Sequence, residues 1–322
     1  QTAHKVDLHP DFWQWSIPER KAWFLKEVMV KYLPQEILQG DLIAGGRFNV
    51  MTSTCLNEKE ARQYGKNVYG KNGARQALLW FHNHGYGNAG ATSGHLIPDY
   101  DHVLKVGWKG IANEIETYYQ ALSEQGKKGV RGAQLRAMHT ATTIPRDLAA
   151  AYARKCMHLA AKEEDQVRKG ELLQMAANLD RVPWQPAETF WEAMQSLWLT
   201  HMLVMSDENY PGPGVSFGRL DQILLPYWEN SLKAGMDREF CKEIMKCFWM
   251  HANTAYDGMI RTGGNQGITA GYGQLFTISG LGKDGRDMTN DLTYAILEVI
   301  DEMSPILEPK PNIRLHRNSP DK

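Results

Sequence analysis

The run Asp207-Glu208-Asn209-Tyr210-Pro211-Gly212-Pro213-Gly214 limits what this chain can fold into more than any other stretch. Its prolines and glycines rule out a helix, because proline lacks the amide donor and crowds the preceding turn, while glycine loses the most backbone entropy. Ahead of it, Pro183 to Val204 is predicted to be one amphipathic helix, with Phe190, Trp191, Met194, Leu197, Trp198, His201 and Val204 recurring at three and four. Behind it, a second helix is expected from Val215 to Trp228. A long buried helix then delivers a tight polar loop bearing the Ser216 hydroxyl and the Arg219 guanidinium, as rigid scaffolds commonly present chemistry. The aromatic stripe reads as core, and His201 on it as a satisfied core histidine. Arg219 and Asp221 are either an ion pair fixing the loop or a substrate contact.

With 322 residues, 43% hydrophobic and 23% charged, the chain is long and apolar enough for a large core. A formal net charge of -1 gives no sign of a basic nucleic-acid face or an acidic tail. No apolar run approaches the roughly 20 residues that span a bilayer. Cys55, Cys156, Cys241 and Cys247 lack paired metal-ligand spacing, so the thiols read as reduced and structural zinc is not expected; the predicted compartment is the cytoplasm. The first residues, from Gln1, show no initiator Met and no signal pattern, and Ser319-Pro320-Asp321-Lys322 reads as a helix start without its helix. Both ends are expected to be cut.

Helices are predicted over Ser16 to Val30, capped by Ser16, over Ala74 to His82, over Asp101 to Leu122 behind Asp99 or Tyr100, through Gly132 to Asn178, over Asp237 to Asn253 and over Thr289 to Ile300. Gln35 to Ala44 is expected to be a shorter element. Leu275 to Leu281 reads as a strand and Asn312 to His316 as a short buried strand, so the fold class is α/β with its strands only beginning.

Several motifs compete for the chemistry. Gly85-x-Gly87-x-x-Gly90 matches a dinucleotide fingerprint but lacks the strand that should precede it. His82, His84 and His95 are possible metal ligands, yet no carboxylate or cysteine completes a familiar spacing, and no metal is assigned. Gly214-Val215-Ser216-Phe217-Gly218 spells a nucleophile elbow, again without its strand; a serine hydrolase using Ser216 stays as the reading from a different class. Ser93 and His95 lie just ahead of a helix N-terminus, where free amides favour a carboxylate group.

Four stretches resemble the glycyl radical enzymes of the pyruvate formate-lyase-like family. They are Gly94-His95-Leu96-Ile97-Pro98-Asp99-Tyr100 with Gly107-Trp108-Lys109-Gly110-Ile111; Arg181-Val182-Pro183 with Thr189-Phe190-Trp191-Glu192-Ala193; Ser216-x-Gly218-Arg219-x-Asp221-Gln222; and Gly285-Arg286-Asp287 with Thr289-Asn290-Asp291, followed by Arg314-x-His316-Arg317. The resemblance implies the helix-rich N-terminal part of a ten-stranded α/β barrel, with residues 1–322 a partial domain ending before the cysteine loop and the glycyl radical domain. It implies a post-translational glycyl radical, a radical-SAM activating enzyme, a homodimer, and in some members small accessory subunits. No catalytic residue is expected within this chain. Substrate contacts carried over by position are Ser93, His95, Ser216, Arg219 and Ile278.

Within that family, Thr92-Ser93-Gly94-His95 looks most like the fumarate-adding enzymes, and Pro211-Gly212-Pro213-Gly214 departs from the loop usual in the dehydratases. The expected reaction is therefore hydrocarbon addition to fumarate, of the alkyl- or arylalkylsuccinate synthase type. An arylacetate decarboxylase or other C–C lyase comes next, then a dehydratase or a C–N or C–S lyase. A catalytically silent structural fragment is the remaining class.

Overall fold

The computed structural model describes residues 6–46, 55–70, 72–86, 96–207, 215–254, 274–306 and 308–320. Helix α1 (Ile17–Glu27) starts as predicted: the Ser16 hydroxyl accepts the Glu19 amide while the Glu19 carboxylate takes the Ser16 amide. Asn57 caps α2 (Glu58–Tyr69) through the same reciprocal pair with Glu60, and α3 (Ala74–Asn83) follows. After a short α5 (Glu124–Lys128), the predicted helix from Gly132 to Asn178 is two elements, α6 (Val130–Ala160) and α7 (Gln166–Arg181), separated by a turn where Asp165 caps the second.

Helix α4 (Tyr100–Gln120) and the segment after α7 explain each other. Gly107 breaks α4, so the amides of Trp108 and Lys109 lose their own helical partners. They donate instead to the carbonyls of Pro183 and Trp184, at 2.9 Å each, while the Ala187 amide donates to Leu104 at 3.0 Å. Pro183 to Thr189 is therefore not helical. Helix α8 begins only at Phe190 and runs to Asp207. Its stripe is core as expected: Phe190, Trp191, Met194, Leu197, Trp198 and His201 are all buried.

The second predicted helix is also corrected. After Ser216 and Phe217 comes a two-residue strand, β1 (Gly218–Arg219), then α9 (Leu220–Ile223), α10 (Leu225–Lys233) and α11 (Arg238–Thr254). Strand β2 (Leu275–Ser279), helix α12 (Asp291–Glu302) and strand β3 (Lys310–Arg314) complete two β-α-β crossovers. The sheet order is β1-β2-β3, all parallel, with Arg219 opposite Thr277 and Ser279 opposite Arg314. β3 is exposed rather than buried, since β2 is its one strand neighbour among the described residues. No helix among them is long and apolar enough to cross a membrane.

The sheet has unlike faces. Phe276 and Ile278 are buried on one face, where the Phe276 ring meets Trp249 of α11 at 5.4 Å. Side chains alternate along a strand, so Thr277 takes the other face. Helices α11 and α12 are clasped together on the helix side. Lys242 contacts Glu239, Glu298 and Glu302, and Lys246 reaches Glu302 at 2.6 Å.

Residues 35–44, expected to form an element, are an extended strap without regular structure. Side chains from the body satisfy its backbone: Trp191 donates to Leu42, Gln195 bonds both the amide and the carbonyl of Ala44, and Arg168 donates to Asp41. At its end Gly45 has φ +130°, and a Cβ there would overlap the Trp198 indole. Gly45→Ala should therefore cost about 1–3 kcal/mol in urea unfolding, and an unchanged midpoint would show the strap to be loosely held.

The clasp generates an acid-sensitivity test. Hydrogen bonds from Lys242 and Lys246 hold the Glu302 carboxyl at about 2, below its ordinary 4.5. A carboxyl depressed by folding contributes stability present above its unfolded pKa and lost as pH falls through the folded one. Thermal unfolding followed from about pH 5 to about pH 2 should lose less stability in Glu302→Gln than in the parent protein, and equal losses would remove Glu302 from the clasp.

Candidate functional site

The site predicted from sequence is approached by three pieces of chain: the residues ahead of α4, the Ser216 turn, and the C-terminal ends of the parallel strands. Ser93 and His95 lie outside the described residues. Leu96, which follows His95 in the chain, accepts the Ser216 amide at 2.9 Å. Next along, the Phe217 amide donates to Leu275 at 2.7 Å, tying the turn to β2. The Phe217 ring stacks on His201 at 4.1 Å between centroids and meets Phe248 at 5.0 Å, so its side chain anchors the turn in the core. Ser216 is half-buried and precedes a strand instead of following one. Among the described residues its hydroxyl has no histidine or carboxylate partner, and the nucleophile-elbow geometry is not formed.

Arg219 has a structural task. Its Nη2 donates to the Ser279 carbonyl at 2.8 Å and Nη1 to Leu281 at 3.3 Å, so the guanidinium stitches β1 to the exit of β2. Its Nε is buried with no partner among the described residues. Asp221 is fully buried nearby and is not within ion-pair distance of Arg219; its Oδ2 accepts the Ser279 amide and the Thr293 hydroxyl, both at 2.7 Å. Burial pushes the Asp221 carboxyl up, opposed by those two hydrogen bonds and by Arg219. The carboxylate holds Ser279 at φ +60°, a left-handed conformation rare for residues with a Cβ. Ile278 sits on the helix-packed face with Phe276, away from the face that carries Arg219 and Thr277.

Sequence reasoning missed the device that holds this region in place. Tyr100, the first residue of α4, His201 of α8 and Gln274, just ahead of β2, form a buried hydrogen-bond chain. The Gln274 side chain donates from Nε2 to the Ala252 carbonyl at 2.7 Å, which turns its Oε1 toward His201 Nε2 at 2.6 Å. His201 must then carry its proton on Nε2, leaving Nδ1 to accept from the Tyr100 hydroxyl at 2.7 Å. The Gln274 amide continues the chain to the Glu308 carboxylate at 2.8 Å. Burial depresses His201 to about 3, so the imidazole is neutral at neutral pH. The only sequence signal was a histidine on an otherwise apolar stripe.

The other sequence motifs resolve locally. Asp99 caps α4, its Oδ1 accepting the His102 amide at 3.1 Å, so that helix end already holds a carboxylate. Helix α3, not a strand, precedes Gly85, which removes the structural context of a dinucleotide fingerprint. His84 Nδ1 bonds the Trp80 carbonyl at 2.7 Å. Cys156, Cys241 and Cys247 are pushed up by burial to about 11, 12 and 11, which keeps them as thiols at neutral pH.

Tyr100→Phe removes the donor to His201 Nδ1 and leaves that atom buried and unpaired. The expected loss is about 1–3 kcal/mol in denaturant unfolding, and unaltered stability would mean that another donor reaches the ring.

Similarity to known proteins is extensive. Isethionate sulfite-lyase from Desulfovibrio desulfuricans is 35% identical over 234 residues, 70% of this chain and 27% of the relative. The trans-4-hydroxy-L-proline dehydratase of Clostridioides difficile is 30% identical over 235 residues, covering 69% of this chain and 28% of its own length. The crystal structure of hydroxyproline dehydratase from that organism superposes with a TM-score of 0.75 at 23% identity, over 95% of this chain and 44% of its own. Indoleacetate decarboxylase from Tractidigestivibacter scatoligenes is 42% identical over 96 residues, 30% of this chain and 11% of that enzyme. The chain thus spans under a third of the curated relatives it matches. Residues 52–322 match the pyruvate formate lyase-like family as a whole, and the helix-rich α/β architecture is that of its solved members. This chain belongs to the pyruvate formate lyase-like family of glycyl radical enzymes.

Proposed function

We propose that this chain is the N-terminal wall of a glycyl radical lyase that removes a leaving group from a small substrate bearing a carboxylate or sulfonate. The observation that carries this reading is the 35% identity over 234 residues to an isethionate sulfite-lyase, joined by 30% identity to a hydroxyproline dehydratase. Both names describe elimination from a small anion. This displaces hydrocarbon addition to fumarate, which rested on Thr92-Ser93-Gly94-His95, residues outside those described. It also displaces a serine hydrolase.

In this reading a glycyl radical, installed by a radical-SAM activating enzyme on polypeptide beyond this chain, supplies the hydrogen-atom abstraction through a cysteine loop. The chain's own part is positional. Ser216, with Ser93 and His95, contacts the substrate, and Arg219 keeps the β1–β2 rim rigid. Homodimers of the whole enzyme are expected. A decarboxylase acting on arylacetates is the second reading, favoured by the 42% identity to indoleacetate decarboxylase over 96 residues.

The test uses the activated whole enzyme, without oxygen, offered isethionate, trans-4-hydroxy-L-proline, indoleacetate, and toluene with fumarate. Sulfite release or dehydration is expected. Carbon dioxide from indoleacetate would move the assignment to the second reading, and a succinate adduct would refute both.

A further inference from the structure

The two groups that the sequence offered for reading an anionic substrate are already engaged. The Asp99 carboxylate fills the N-terminus of α4, and both Nη atoms of Arg219 are bonded to main-chain carbonyls. A different arginine is in position. The β2–β3 register pairs Thr277 with Asn312 and Ser279 with Arg314, while β1 pairs Arg219 with Thr277. Paired residues of a parallel ladder share a face, so Arg219, Thr277, Asn312 and Arg314 lie opposite Phe276 and Ile278. One face of the sheet is apolar and closed by helices. The other presents a hydroxyl, an amide and guanidinium groups.

The stem of Arg314 is held. A Cβ added at Gly280, which has φ +88°, would meet Arg314 Cβ at 2.9 Å and Cδ at 3.3 Å, so the aliphatic stem lies flat against that glycine. The Arg314 carbonyl accepts the Ser279 hydroxyl at 3.3 Å, which fixes the backbone from which the stem leaves. Among the described residues its head group has no hydrogen-bond or ion-pair partner. Arg20, Arg136, Arg181 and Arg238 each lie on a carboxylate, whereas none pairs with Arg314 among the described residues. A guanidinium on a stem held against Gly280 is suited to bidentate recognition of a planar carboxylate or of two sulfonate oxygens.

We propose that Arg314 binds the anionic head group of the substrate, a carboxylate or a sulfonate. The proposal rests on the reading of the whole enzyme as a lyase for small anions. Its test needs no radical. The unactivated whole enzyme is titrated calorimetrically with isethionate, with trans-4-hydroxy-L-proline, with indoleacetate, and with ethane-1,2-diol as the neutral counterpart of isethionate. Arg314→Gln should weaken binding of whichever anion the parent prefers by about 10- to 100-fold, with Arg314→Lys intermediate and the diol unaffected. A sulfonate or a carboxylate preference in the parent tells which head group the site takes. Parent-like anion binding by Arg314→Gln would overturn the role of Arg314 alone, as would equal loss of anions and diol. A parent that binds none of the anions would overturn the lyase reading and this proposal together. Should Arg314→Gln unfold, Arg314→Lys keeps both stem and charge but not the planar fork, and undiminished binding by that variant would overturn the bidentate site.

Discussion

The line of buried hydrogen bonds through His201 is the constraint on which the rest of the structure depends. It joins three elements far apart in sequence: the start of α4, the middle of α8 and the approach to β2. None of these polar groups has access to water, so each must be satisfied inside the protein or leave a buried group unpaired. That requirement sets the position of Tyr100 relative to the sheet, and with it the residues that precede α4. The Ser216 amide on Leu96 then adds a second tie at the same place.

A similar logic governs the other end of the sheet. Parallel strands leave carbonyls pointing out of their C-terminal ends, and something must donate to them. Arg219 does so for Ser279 and Leu281, and Asp221 takes the amide of the left-handed Ser279. An arginine and an aspartate two residues apart on a polar turn therefore read from sequence as a binding group and act in the fold as a brace. The resulting rim is rigid on the helix side and polar on the other, which is what a wall of a reaction cavity requires.

How much of this was legible depended on how local each determinant was. The start of α1 followed from Ser16, whose capping partner Glu19 lies three residues on. The core identity of Trp198 and His201 followed from helical spacing alone. Pro183 to Thr189 was misread because amides freed by the break at Gly107, some 75 residues earlier, occupy its carbonyls. The role of Arg219 was open for the same reason: its partners are about 60 residues away across the sheet. The family was readable because its signature stretches are contiguous runs, while the choice among its reactions was not, since that depends on which side chains share a cavity.

The sequence by itself determined the start of α1 at its Ser16 cap, the buried stripe of α8 and membership of an α/β radical-enzyme family, because these rest on interactions within one turn or on short contiguous patterns. Only the tertiary structure decided which polar groups are free. Whether a guanidinium or carboxylate can meet a ligand depends on what the folded backbone already asks of it, and that demand arises between segments distant in the chain. Hence Arg219 and Asp99 are committed to main-chain atoms, while Arg314, on a strand that drew no attention as a site, keeps its head group uncommitted among the described residues.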